Sequence, residues 1–226
     1  WGWHAPGIQS AAAVMAVTHH LNLAHGLAVS KLRETVPDAK IGTVIVMHPV
    51  VDWENDPAGS ARLDALSNRA FTDPALLGTY PELLIDELSP FIQQGDLELI
   101  QQPLDFFGLN HYTTMRARSA PESALGVEIL QPPPEVPQTI KGWEINPEMF
   151  YQQLLELKNR YGNLPIYITE SGCAAPDKLD AEGKVADPER VAYFRDYLRA
   201  AARAIEDGVN LKGYFAWSLM DNFEWA

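Results

Sequence analysis

The sequence predicts an α/β fold built on a parallel sheet. Two observations carry this. Apolar runs of strand length alternate with segments whose apolar residues recur every three or four positions. The strand runs are apolar at both side-chain parities, which suits strands covered on both faces. Repeated strand–helix units of this kind imply helical crossovers between parallel strands.

Taken in order, Ser10 is placed to cap a helix reaching about Leu32, with an apolar stripe of Val14, Val17, Leu21, Ala24, Ala28 and Leu32. Pro37-Asp38 breaks it, and Ile41 to Val51 reads as one buried strand. An acidic loop from Asp52 to Pro57 leads into helical segments over 60–71, 74–76 and 81–88, with a short one opened by Ser89-Pro90. The run 104–110 is the second strand and leads into His111-Tyr112. Gln131-Pro132-Pro133-Pro134 excludes helix interior and central strand, so it reads as a surface loop or small insertion. Asn146-Pro147-Glu148 and Asp187-Pro188-Glu189 each open a helix with a capping side chain, proline in the first turn and an acid near the positive dipole end. Their expected stripes are Phe150, Leu154, Leu157 and Tyr161, then Val191, Phe194, Leu198, Ala201 and Ile205, with Gly162 and Gly208 as stops. The third strand, 164–170, ends in Glu170, and the fourth spans 211–219. Four strands with long loops fit half of a (β/α)8 barrel, which needs eight; a small open four-stranded sheet is the alternative.

Composition narrows the function. The 226 residues are 46% hydrophobic and 21% charged, as in ordinary globular proteins. A formal charge of −13 disfavours nucleic acid and anionic membrane surfaces as partners, whereas a neutral sugar meets no such repulsion. One cysteine, Cys173, excludes an internal disulfide framework and makes a cytoplasmic location the mild favourite. No run approaches 18 apolar residues. Six tryptophans and eight tyrosines fill a core, and their flat faces also suit sugar rings.

Several chemistries lack their signatures. There is no G-x-G-x-x-G and no glycine-rich loop ending in Lys-Ser/Thr. His19, His20 and His25 do not have the i, i+4 spacing that brings two rings together. Asp52, Glu54 and Asp56 have calcium-loop spacing, but Pro57 stands where that loop needs glycine. What remains is a set of polar and aromatic residues at strand ends: Asn110 and Tyr112, Glu170, then Trp217, Glu224 and Trp225. Each has an ordinary reading as core aromatic or loop charge. Together they occupy equivalent ends of parallel strands, where a barrel forms its pocket. A carboxylate, a tyrosine hydroxyl to hold it and indole faces make a sugar-cleaving constellation.

Four segments then carry a resemblance: Asp105-Phe106-Phe107-Gly108-Leu109-Asn110-His111-Tyr112, Gly142-Trp143-Glu144-Ile145, Tyr167-Ile168-Thr169-Glu170-Ser171-Gly172, and the run from Gly213 to Trp225. In this order they closely resemble the β-glucosidases of glycoside hydrolase family 1, as does the opening Trp3-His4-Ala5-Pro6-Gly7. The resemblance implies a retaining β-glycosidase on a (β/α)8 barrel, with residues 1–226 one segment of the catalytic domain, roughly strands 5 to 8, and with both ends reading as cut. It implies Glu170 as nucleophile, Tyr112 as the group that orients it, and Asn110 lining the sugar subsite. It also implies Trp143 as an aglycone platform, Trp217 under the non-reducing sugar, and Glu224 and Trp225 on its outer hydroxyls. A carboxylate at Glu224 would repel a 6-phosphate. The implied substrate is a β-glucoside or oligosaccharide, with no metal or organic cofactor; a homo-oligomeric full-length enzyme stays open. Ser171 replaces the asparagine usual after the nucleophile. The family's acid/base glutamate lies in an Asn-Glu-Pro motif that no glutamate of this sequence carries. The expectation is therefore a chain that holds the nucleophile and turns over poorly alone, the alternative being a non-catalytic fragment that binds sugar weakly or needs a complementary half.

Overall fold

The computed structural model describes residues 6–52, 55–220, 222 and 224. The elements are α1 (Ala11–Thr35), β1 (Gly42–Val46), β2 (Val50–Asp52), α2 (Pro57–Asp64), α3 (Ala70–Leu77), α4 (Ile85–Leu88), α5 (Asp96–Ile100), β3 (Phe106–Asn110), β4 (Met115–Ser119), β5 (Val127–Leu130), α6 (Pro147–Tyr161), β6 (Ile166–Ser171), α7 (Pro188–Glu206) and β7 (Leu211–Ala216). Contacts divide the chain into two compact units. One comprises the described residues up to Ile45 with Val50–Asp105 and Arg116–Leu130; the other comprises Val46–Pro49, Phe106–Met115 and the described residues from Gln131 onward.

In the first unit, Ser10 caps α1 by accepting from Ala13 N at 3.3 Å. The buried face of α1 is not the expected stripe. Met15, Thr18, His19, Asn22, Gly26 and Val29 face inward, while Val17 and Leu21 are each 56% exposed. Two features explain this. A Cβ on Gly26 would stand 2.1 Å from Leu99 O, so this face alone admits the backbone of α5. Two polar residues on it, His19 and Asn22, find partners. His19 Nε2–H donates to Asp96 Oδ2 (2.9 Å), Tyr80 OH donates to His19 Nδ1 (2.8 Å), and Asn22 Nδ2 donates to Tyr80 OH (3.1 Å). This assignment of the ring protons follows from the network, in which both ring nitrogens of His19 and the Tyr80 hydroxyl find partners. Asn22 Nδ2 also donates to Ala70 O at 2.8 Å. That carbonyl lies four residues before Pro74, which sits inside α3 and has no N–H to offer it. A π-helical turn, Ala65–Arg69, joins α2 to α3, so helix continues where two separate segments were expected.

The Ile41–Val51 run is not one strand. It breaks at His48-Pro49, and β2 belongs to a three-stranded sheet of order β2-β4-β5. This sheet was not expected, because Met115-Arg116-Ala117-Arg118-Ser119 lacks apolar alternation. Arg118 lies opposite Glu128 in the antiparallel β4–β5 ladder and pairs with it at 2.9 Å. Asp56 ties the sheet to α2. It caps the helix by accepting from Gly59 N (3.0 Å) and also accepts from Ser119 N (2.5 Å).

In the second unit β3, β6 and β7 are consecutive parallel strands, paired Phe107↔Ile166 and Ile166↔Leu211 at their starts. Beside β3, Met47 N donates to Asn110 O at 3.0 Å. α6 begins with Asn146 accepting from Met149 N and buries Phe150, Leu154 and Leu157, each worth about 1.5–3 kcal/mol of apolar burial. α7 departs from its expected stripe. Val191, Leu198 and Ile205 are exposed, and Tyr193, Tyr197, Ala200, Ala201 and Ala204 are buried. The phenol groups settle the choice: Tyr193 OH meets Ser171 Oγ at 3.2 Å, and Tyr197 OH accepts from Asn146 N at 3.0 Å.

Candidate active site

The candidate site lies in the second unit, where β3, β6 and β7 end. Their backbones hold these ends together: His111 N donates to Glu170 O and Trp217 N to Ser171 O, both at 2.9 Å. The register brings Asn110 opposite Glu170 and Ser171 opposite Ala216. Gly172 is required here, since a Cβ on it would lie 1.9 Å from Trp217 O.

On this frame Tyr112 OH donates to Glu170 Oε2 at 2.5 Å, the short distance of a hydroxyl donating to a carboxylate. Burial raises the Tyr112 phenol above its ordinary range, and the bond to Glu170 and the charges of Glu170 and Glu224 raise it further. Tyr112 is thus a proton donor throughout the neutral range. Asn110 is buried, and its Oδ1 accepts from Thr169 Oγ1 at 2.6 Å. Trp143 is 42% exposed and meets the Tyr112 ring edge-on at 5.8 Å between centroids. It comes from the proline-rich loop, which Ile140 N pins to Ala174 O at 3.3 Å. Trp217 Nε1 donates to Glu224 Oε1 at 2.8 Å. Asn110, Tyr112, Trp143, Glu170, Trp217 and Glu224 are thus joined by contacts or by strand register. Trp225 and the segment Trp1–Ala5 lie outside the described residues.

Three residues of the surroundings escaped the sequence reading. His111 is fully buried between Phe150 (4.7 Å) and Tyr197 (5.6 Å), with Nδ1 on Gln153 Oε1 at 2.8 Å. Burial lowers its imidazole to about 3, partly offset by Gln153, and burial lowers His48 to about 4. Both are therefore neutral at ordinary pH. Thr169 is the third. Only the position of His111 between Asn110 and Tyr112 gave any signal of this. Cys173 is no candidate nucleophile, because burial pushes its thiol up to about 11. Among the described residues no group of three or more His, Cys, Asp or Glu side chains is placed to hold a metal.

Residues 1–226 match the family model described as Glycosyl hydrolase family 1. The chain belongs to this family. This family 1 chain is 39% identical to the bifunctional β-D-glucosidase/β-D-fucosidase of Bifidobacterium breve over 246 residues, which cover 99% of the chain and 52% of that protein. It is also 39% identical to β-glucosidase A of Acetivibrio thermocellus, over 100% of the chain and 52% of that enzyme. It superposes on the family 1 β-glucosidase of Thermotoga maritima with a TM-score of 0.90 and 35% identity, covering 99% of the chain and 52% of that structure. The T. maritima enzyme in complex with deoxynojirimycin matches with a TM-score of 0.89 and 35% identity, over 99% and 51% of the two chains. The chain thus spans about half the length of the relatives it matches. These structures are (β/α)8 barrels, and the family 1 chain folds as part of one. Among its described residues no helix is long and apolar enough to cross a membrane.

Proposed function

We propose that this chain carries the nucleophile of a retaining β-glucosidase that removes terminal, non-reducing β-D-glucosyl residues by double displacement. The observation that carries this reading is the 2.5 Å hydrogen bond from Tyr112 OH to Glu170 Oε2 at the end of β6. One Glu170 oxygen is held by a donor that stays protonated, and the other is left to attack. In the first displacement a Glu170 oxygen bonds to the anomeric carbon as the glycosidic oxygen departs with a proton from a second carboxyl group. Water then releases the sugar, and Glu170 is regenerated as a carboxylate.

Asn110 lines the sugar subsite in this reading, and Trp217 lies under the sugar ring. Glu224 and Trp225 take its outer hydroxyls, and Trp143 offers its exposed face to the aglycone. The acidic charge of the chain favours a neutral glycoside over a phosphorylated one. Retaining chemistry needs its two carboxyls about 5–5.5 Å apart. No glutamate of these 226 residues lies in the Asn-Glu-Pro motif that carries the family's acid/base. The isolated chain is therefore expected to hydrolyse an aryl β-glucoside feebly or not at all. Robust turnover that survives Glu170→Gln would refute the assignment. Robust turnover that Glu170→Gln abolishes would instead show that the acid is present in this chain.

A further inference from the structure

Around Glu170 the strand β6 carries one residue more than the facing stretches of its neighbours. Against β3, Leu109 pairs with Ile168 and the very next residue, Asn110, pairs with Glu170. Against β7, Tyr214 pairs with Ile168 and Ala216 with Ser171, so three steps along β6 match two along β7. β6 therefore carries a bulge between Ile168 and Ser171 on both sides, and Thr169 has no partner in the β3 register. Bulges re-aim side chains at strand ends, and in regular pairing Thr169 and Glu170 would face opposite ways. Here Thr169 reaches Asn110 Oδ1 at 2.6 Å, while the next residue, Glu170, meets Tyr112.

We infer that Thr169 is a positioning residue: its hydroxyl holds the Asn110 amide in the one orientation that turns Nδ2–H toward the sugar held at Glu170. An asparagine amide presents an acceptor or two donors depending on a half-turn about one bond. The Thr169 proton occupies the acceptor, so the donors are left for a ligand that offers lone pairs. Hydroxyl oxygens of a neutral sugar have this chemistry. A buried amide already fixed in place loses little conformational freedom when the sugar arrives. The sugar-facing part of this inference rests on the glucosidase reading; the orientation of the amide does not.

The test uses the full 226-residue chain with 15N-labelled asparagine side chains, as wild type, Thr169→Val and Thr169→Ser. Valine keeps the shape and loses the proton, and serine keeps the proton. The Asn110 Nδ2H2 resonances should coincide in wild type and Thr169→Ser, and should shift or double in Thr169→Val. Coincidence of all three overturns the inference. Should valine prevent folding, the wild type suffices: the Thr169 hydroxyl proton should exchange slowly and show a proximity signal to the Asn110 side chain. Exchange at the free-hydroxyl rate overturns the inference equally. Titration with deoxynojirimycin examines the sugar-facing part. It should move the Asn110 donors in wild type and Thr169→Ser, with affinity roughly tenfold weaker in Thr169→Val, the worth of one ordinary hydrogen bond. A ligand that binds and leaves the Asn110 donors unmoved overturns the sugar-facing part, while the resonance comparison still decides the orientation.

Discussion

Replacing Gly172 with alanine places one methyl group where the ends of β6 and β7 meet. The added Cβ would stand 1.9 Å from Trp217 O and 3.0 Å from its carbonyl carbon, whereas real Cβ atoms keep at least 3.0 Å from such neighbours. The two backbones would have to part by about 1.1 Å. Neither side is a flexible side chain, so the hydrogen bond from Trp217 N to Ser171 O stretches or breaks. Overpacking of this kind costs about 1–3 kcal/mol. In a chain of this size that lowers Tm by about 2–12 °C. Gly162 provides the control. It has φ of +78° and ψ of 170°, a conformation open essentially to glycine alone, with nothing within 4 Å of an added Cβ, so Gly162→Ala reports backbone strain without a steric clash, about 1–3 kcal/mol. Thermal unfolding by circular dichroism compares the two, and Trp fluorescence follows the displacement of Trp217. A Gly172→Ala chain that melts within 1 °C of wild type, with unchanged fluorescence, would refute the close approach and the strand-end alignment built on it.

Three further outcomes are expected. Tyr112→Phe should slow labelling of Glu170 by an activated 2-fluoro glucoside roughly 10- to 100-fold, the worth of a hydrogen bond to a charged group. The raised phenol keeps Tyr112 protonated below its unfolded pKa and loses that form only at strongly alkaline pH, so the defect should be flat from about pH 5 to 8. Tyr80→Phe removes the donor to His19 Nδ1 and should cost about 1–3 kcal/mol in chemical denaturation. The double variant with His19→Leu should lose less than the two single variants together. Asp105 is held at about 2, first by the Ile41 N–H and then by Arg33, below its ordinary 3.8. Because the folded value is depressed, this stabilisation is present above about pH 4 and is lost as pH falls toward 2. Asp105→Asn should flatten the acid side of the urea-midpoint profile over that window, and an unchanged slope would contradict the assignment.

The parts of the fold legible in the sequence were those set by local chemistry. Asn146-Pro147-Glu148 opens α6 because an amide cap, a proline without a needed N–H and an acid all favour that turn. Ile166 to Thr169 form a strand because β-branched and aromatic side chains fit a covered sheet. The faces of α1 and α7 were not legible, since α1 buries Thr18, His19 and Asn22 while leaving Val17 and Leu21 exposed, and α7 is apolar on two sides. What decides between them is remote: Leu99 O against Gly26, and Ser171 and Asn146 against the α7 tyrosines. The break of the 41–51 run and the sheet of β2, β4 and β5 escaped for a similar reason, because the cross-strand partners of an arginine-bearing strand stand far away in sequence. At the candidate site the residue types were readable, but their joining was not. The β6 bulge leaves no trace in hydrophobic periodicity, and the bond from Thr169 to Asn110 spans 59 positions.

Trapping the covalent glycosyl intermediate puts the assignment of Glu170 as nucleophile to the test. The wild-type chain is incubated with a 2-deoxy-2-fluoro-β-glucoside bearing a dinitrophenolate leaving group, which departs without an acid, and the labelled peptide is located by mass spectrometry. One fluoroglucosyl group is expected on Glu170, in the peptide around Tyr167-Ile168-Thr169-Glu170-Ser171, and none on a Glu170→Gln chain. A label on any other residue would contradict it.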